Sequence, residues 1–270
     1  MEFQQWLVAN EPLVRLSIFV SILLCMMILE VLAPKRALTQ SKPYRWLNNI
    51  SLVVFNTLLM RLLLPFATVG VAIYAKDKGL GLFTLIDWPF WIEVVLSILI
   101  LDCIIYWQHR IFHKVPVLWK LHRVHHIDQD IDVTTGSRFH PVEIFLSLFI
   151  KFSIVLLLGV PVVAVILFEV LLNATAMFNH SNIALPKTLD RFIRYFLVTP
   201  DMHRVHHSNI KAETNSNYGF NIPLWDRIFN SYKDQPKLGH QDMVIGVDGF
   251  TDTVKTQNVL KLLKHPFVSN

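Results

Sequence analysis

The chain has 270 residues, 53% of them apolar and only 17% charged, where a soluble domain usually carries about a quarter charged residues. Its mean hydropathy is +0.44, so the composition points to membrane spans. The net charge is +5, but no basic run is interleaved with aromatics and no recognition motif appears, which argues against a nucleic-acid partner.

The first apolar run, residues 13–33, exceeds the ~20 residues that cross a bilayer. Glu2 and Glu11 precede the lone Arg15, and Pro34-Lys35 stands where a signal peptide would carry a small-residue cleavage site, so a retained helix is expected. The following "PKRALTQSKPYR" carries Lys35, Arg36, Lys42 and Arg45 and reads as a cytoplasmic loop. A second span is expected over residues 50–74, interrupted by Arg61 and Pro65, with Arg61 snorkelling or paired inside the bundle. "AKDKGLGLFTLIDWPF" reads as an outside loop with interfacial Trp88 and Trp91. The third span, residues 90–106, runs into histidines without a breaker, so its helix should continue as a stalk. Gly159 and Pro161 divide the apolar region 142–178 into two spans or a re-entrant hairpin. Either brings the chain back to the side it left. Beyond Asn179 nothing is long and apolar enough to span. Cys25 and Cys103 are isolated in apolar segments and give neither a disulfide framework nor a CxxC site. The expected fold is an all-α integral membrane protein of about four transmembrane helices or re-entrant hairpins with a helical cytoplasmic cap. It forms one membrane-embedded domain over residues 1–270, with its histidine core at 96–232.

Eight of the twelve histidines fall in three compact groups. "HRIFH" gives His109 and His113, "HRVHH" gives His122, His125 and His126, and a second "HRVHH" gives His203, His206 and His207. Spacings of three and four place side chains on one helix face. At the third group Thr199 is a fitting N-cap, Pro200 the first helical residue and Asp201 a first-turn acid. Several protonated imidazoles cannot be buried together, whereas neutral ones offer lone pairs that a divalent metal gathers. Eight ligands exceed what one ion takes, so two ions are expected, and imidazole suits Zn, Cu, Fe and Ni alike. A pH sensor would need fewer histidines and no such spacing.

The ordered boxes, together with "TTGSRFHPVE", "FNHSN", "TPDMHRVHHS" and "NSNYGFNIPLWDRIF", resemble the fatty acid hydroxylase / sterol desaturase superfamily of membrane di-iron proteins, in particular its compact sterol-desaturase-type members. The resemblance implies two iron ions held by His109, His113, His122, His125, His126, His203, His206 and His207, with His180 as a further ligand. His140, in "RFHP", is either a ligand, a ring that orients one, or the cap of the next helix. Ala176 stands where some members carry another histidine. Carboxylates or amides that hold ligand rings are sought in Asp102, Glu143, Asn179, Asp201 and Asn215. His240 and His265 lie outside the motifs and read as surface residues. Trp225-Asp226-Arg227 reads as a packing and ion-pair element.

The resemblance also implies an O₂-dependent oxidase that hydroxylates or desaturates a C–H bond of a membrane lipid, with O₂ as co-substrate. The lipid substrate would slide in from the bilayer. The chain carries no flavin fingerprint, haem module or cysteine-ligated iron site, so electrons should come from a separate donor protein, docked on the basic cytoplasmic face. A histidine-rich metal-transport protein and a scaffold with a structural metal are the competing readings.

Overall fold

The computed structural model describes residues 2–64, 67–87, 89–250, 252 and 256–268. It is helical, and the described residues hold only two isolated β-bridges, Pro34 with Ile183 and Ser208 with Ile245. A short α1 (Glu2–Ala9) leads into α2 (Glu11–Leu32), which ends before Pro34. α3 (Lys42–Leu63) and α4 (Thr68–Asp77) follow. Then come α5 (Phe90–Lys114), α6 (Pro116–His126), α7 (Pro141–Leu158) and α8 (Val162–Asn179). α9 (Lys187–Ile193) and α10 (Pro200–His206) begin the cap.

Among the described residues, five stretches are long and apolar enough to cross a membrane: α2, the run 42–85, α5, α7 and α8. The chain is a multi-pass membrane protein. The divided region 142–178 resolves into two helices of 18 residues, each about 27 Å long at 1.5 Å per residue. Gly159 sits at φ +70°, where a side chain would be strained, and Pro161 caps α8. A side chain at Gly81 would strike the Gly159 backbone, so this corner needs two glycines.

The second span differs from expectation. α3 begins at Lys42, inside the expected loop, and a separate α4 starts at Thr68. Pro65 and Trp88 lie outside the described residues. Arg45, read as a topology charge, is fully buried and bonded to Asp128 and Asp132. Arg61 is exposed on α3, as snorkelling requires.

In a bilayer, helices gain little from hydrophobic burial against one another, so packing and polar ties decide their association. The core packs Val69 and Ala72 of α4, Leu101 and Ile105 of α5, Val155 of α7 and Ala164 and Phe168 of α8. Glu169 on α8 ties it to three other helices. It pairs with Arg15 of α2 at 2.8 Å and Lys151 of α7 at 3.3 Å, and accepts from the Thr68 hydroxyl of α4 at 2.6 Å. Arg15, weighed in the sequence only against a signal peptide, thus anchors α2.

Candidate metal centre

α5 carries His109 and His113 in its last turns, past its apolar stretch, and ends because Pro116 follows. Pro116 opens α6, which folds back along α5 after the single residue Val115. The first two histidine boxes therefore face each other by chain connectivity. α10 starts as expected, with the Thr199 hydroxyl accepting from the Met202 amide at 3.3 Å. His180 is the C-cap of α8, which packs on α10.

Nine buried imidazoles converge in two groups, in each of which one ring nitrogen per residue lies within 4.8 Å of the others. The first holds His109, His113, His122, His126 and His206, and the second His125, His180, His203 and His207. Each HRVHH pentad is divided. Its first and last histidines, four apart and hence on one face, enter one group, and its middle histidine crosses to the other. The groups adjoin, with the rings of His126 and His207 stacked at 4.5 Å and those of His125 and His207 edge to face at 4.7 Å.

Four rings are held by their Nδ1 atoms. His109 donates to the Tyr218 carbonyl at 2.8 Å, His206 to Ser216 at 2.7 Å and His180 to Ala176 at 2.8 Å, while His122 bonds the Glu143 carboxylate at 2.6 Å. With Nδ1 protonated, each Nε2 presents a lone pair to its group. The Nε2 atoms of His109 and His206, and both nitrogens of His113 and His207, are buried without a hydrogen-bond partner. Nitrogens of His126 and His122 approach to 3.2 Å, and those of His203 and His180 to 2.9 Å. Burial pushes the His206 imidazole down to about 3 and that of His180 down to about 4, and holds His125, His126, His203 and His207 well below the ordinary range. Uncharged, inward-facing and unpartnered imidazole nitrogens are the donor set a pair of nitrogen-preferring divalent metals needs.

Of the groups expected to hold ligand rings, only Glu143 does so. Replacing a carboxylate behind a metal-bound histidine typically costs 10–100-fold in metal affinity. Glu143→Gln is therefore expected to lower affinity by about that factor, measured by competition with a chelator. Affinity equal to wild type would dismiss the contact as incidental.

Asp102 accepts from the Trp225 indole at 2.8 Å, Asp201 pairs with Lys35 at 2.5 Å and with Arg204, and Asn179 donates to the Phe220 carbonyl at 2.9 Å. Asn215 lies 3.4 Å from the Tyr218 hydroxyl. None of these four touches a clustered ring. His140 stands outside both groups. Its Nδ1 accepts from the Val142 amide at 3.2 Å, capping α7, and its Nε2 lies 3.1 Å from the Leu263 carbonyl. His265 accepts from Arg123 at 3.0 Å, and His240 lines a cavity 3.7 Å from Asp201, so neither is a free surface residue. Asp226 forms no ion pair with Arg227. It accepts from the amides of Tyr218 and Gly219 at 2.8 and 2.7 Å, which fixes the strand of backbone that receives His109. Burial pushes its carboxyl up to about 6.

Two supports escaped the sequence reading. Asp128, just past the first pentad, joins Arg45, Arg138, Thr135 and Gln257. Gly136 in "TTGS" lies so close to α8 that a Cβ there would meet the Ala176 carbonyl at 2.7 Å and His180 Nδ1 at 3.1 Å. That carbonyl is the one His180 bonds. Gly136→Ala is expected to displace His180 and halve the metal content of the purified protein. Full metal content would show that the neighbours give way.

Residues 94–231, just over half of the chain, match the fatty acid hydroxylase family. The chain is 29% identical to an ornithine lipid hydroxylase of Rhizobium tropici over 60% of this chain and 48% of that one. It is 30% identical to alkylglycerol monooxygenase of Xenopus tropicalis over 54% of this chain and 30% of that one. It is 28% identical to methylsterol monooxygenase 2-2 of Arabidopsis thaliana over 67% of this chain and 70% of that one. The chain thus spans about half or less of the length of the first two relatives. No solved structure matches. The family match takes in all nine clustered histidines and both pentads, and the chain belongs to the fatty acid hydroxylase family.

Proposed function

We propose that the protein is an O₂-dependent oxidase that hydroxylates or desaturates a C–H bond of a membrane lipid, using two iron ions held by the nine clustered histidines. The observation that carries this reading is the pair of adjoining, buried, fully histidine-lined groups at the ends of apolar helices. Two of the relatives are named monooxygenases and a third a lipid hydroxylase, which supports the same reading. A transport protein would need ligating side chains along a path through the spans, whereas the nine rings form closed groups at helix ends.

Iron bound there would supply O₂ reduction and the one-electron chemistry that breaks an unactivated C–H bond. His109, His113, His122, His126 and His206 would hold one ion, and His125, His180, His203 and His207 the other. The chain's own contribution is orientation and exclusion of water. The Glu143 carboxylate and the carbonyls of Tyr218, Ser216 and Ala176 keep a proton on Nδ1 and so direct Nε2 inward. Phe139 lies flat on His125 at 4.6 Å, and Trp119 and Tyr218 flank His113 at 4.9 and 5.2 Å. These rings wall the groups off from water. Imidazole ligands carry no negative charge, so they would leave the charge of bound metal uncancelled. Electrons would come from a separate donor protein, and the basic segment after α2 supports a cytoplasmic position for the site.

The test is lipid profiling under ¹⁸O₂ of cells making the wild-type protein. A lipid that gains one labelled oxygen, or loses two hydrogens, names substrate and reaction. Purified protein should hold about two iron ions. No altered lipid together with one ion or none would overturn the reading.

A further inference from the structure

A surface helix normally buries its apolar face and exposes its polar one. α9 does the reverse. Asp190 and Arg194, four apart, are buried at 7% and 3% exposure, while Leu189, Phe192 and Phe196 on the opposite face are 44%, 62% and 61% exposed. The helical turns continue past Ile193, with the Phe196 amide bonded to the Ile193 carbonyl at 2.9 Å, so the rings of Phe192 and Phe196 meet edge to face on one side at 5.6 Å. Leaving this face in water is costly, and among the described residues nothing covers it.

The polar face of α9 lines a cavity of about 540 Å³, shared with Lys35, Asp201, Arg227 and Asp234. Its carboxylates are committed: Asp190 and Asp234 pair with Arg194, and Asp201 with Lys35 and Arg204. Lys187, Arg191 and Arg227 have no carboxylate partner among the described residues, and Arg227 rests on the rings of Tyr195 and Tyr232. The cavity thus has surplus positive charge. Its height is set by the chain. Lys35 lies three residues past the end of α2, and Pro34 bridges to Ile183, four residues past the end of α8. Both helices leave the membrane there, so cavity and α9 sit at headgroup level.

We propose that residues 187–197 lie in the bilayer interface, with Leu189, Phe192 and Phe196 among the acyl chains, and that the cavity behind them binds the phosphate of an anionic membrane phospholipid through Lys187, Arg191 and Arg227. The inverted face and the cationic cavity are two halves of one device. Aromatic rings anchor the segment and cations hold the headgroup beside it. The inference concerns lipid binding and stands independently of the oxidase reading.

The full chain, with Cys25→Ser and Cys103→Ser, is reconstituted in bilayers of neutral phospholipid containing one-fifth anionic phospholipid. Spin labels are placed at Phe192→Cys and Phe196→Cys, with Leu24→Cys on α2 as the lipid reference and Lys211→Cys as the aqueous one. Collision rates with O₂ and with a water-soluble nickel chelate are read by EPR. Labels at 192 and 196 should fall between the Leu24 and Lys211 sites, with O₂ collisions exceeding those of the nickel chelate. Nickel access equal to the Lys211 site would overturn the interfacial placement, and so would shielding that appears only on adding an acidic carrier protein. In the second arm, phospholipid retained by detergent-purified protein is quantified by mass spectrometry. Lys187→Gln and Arg191→Gln, both exposed, should each lower retained anionic phospholipid about fivefold, leave neutral lipid unchanged and leave metal content intact. Unchanged retention, or displacement of the lipid by millimolar inorganic phosphate, would overturn the headgroup site.

Discussion

His206→Ala is expected to abolish lipid oxidation while the protein stays in the membrane. His206 is the middle histidine of its pentad, yet it belongs to the group built mainly from α5 and α6. Its ring stands 4.5 to 4.7 Å from those of His109, His113 and His126, so it links α10 to that hairpin. Loss of a group that merely orients a ligand costs 10–100-fold, and loss of the ligand itself should cost at least about 100-fold in product. The removed ring is also fully buried, so a second measurement separates chemistry from folding. Membrane-inserted yield and helicity should remain near wild type while iron per chain falls from about two towards one. Product formation near the wild-type rate would sink the assignment of His206, whatever the metal content.

Asp128→Asn is expected to destabilise the fold by about 3–5 kcal/mol, the usual cost of removing one partner from a buried ion pair. Asp128 is fully buried between Arg45 at 2.8 Å and Arg138 at 3.4 Å. Burial alone would raise its pKa, but the two guanidiniums outweigh that effect and hold the carboxyl well below the usual carboxylate range. Its contribution is therefore present above about pH 4 and is lost as pH falls below the ordinary carboxylate value. The difference between variant and wild type should shrink in that acid range. Thermal unfolding in detergent measures this. Asp234→Asn is the contrast, because Asp234 is 68% exposed on its pair with Arg194 and such pairs contribute no more than about 1 kcal/mol. Equal effects of the two substitutions would remove the case for the buried network. Since Asp128 follows the first pentad by two residues, the network also fixes the end of α6 where His125 and His126 sit.

The legibility of this chain was uneven for physical reasons. Apolar length and 3–4 histidine spacing are local properties, and both survive unchanged in the structure: α5 runs on past its apolar stretch, Thr199 caps α10, and the boxes meet on one side. Pairing across long separations is not local. A lone arginine in sequence shows only its charge, so Arg15 bears on the signal-peptide question and Arg45 on topology. Beside Glu11, which is local to Arg15, the carboxylates they meet lie on α8 and in the segment after α6, 83 or more residues away. Asp102 sits on the expected helix face, but Trp225 reaches it first, and His140 turns to cap α7.

The sequence by itself determined the membrane class, the helical boxes and the resemblance to a family. It could not say which histidine joins which group, because residues three and four apart are both neighbours on a helix. Only the crossing of α6 and α10 against α5 and α8 divides each HRVHH, sending its outer pair to one group and its middle ring to the other. Nor could sequence periodicity show that α9 is inverted. An amphipathic pattern gives two faces, and which one turns inward is decided by the partners its polar groups find: Asp190 of α9 and Arg194 at its end pair with each other and Arg194 reaches Asp234, while the phenylalanines face out.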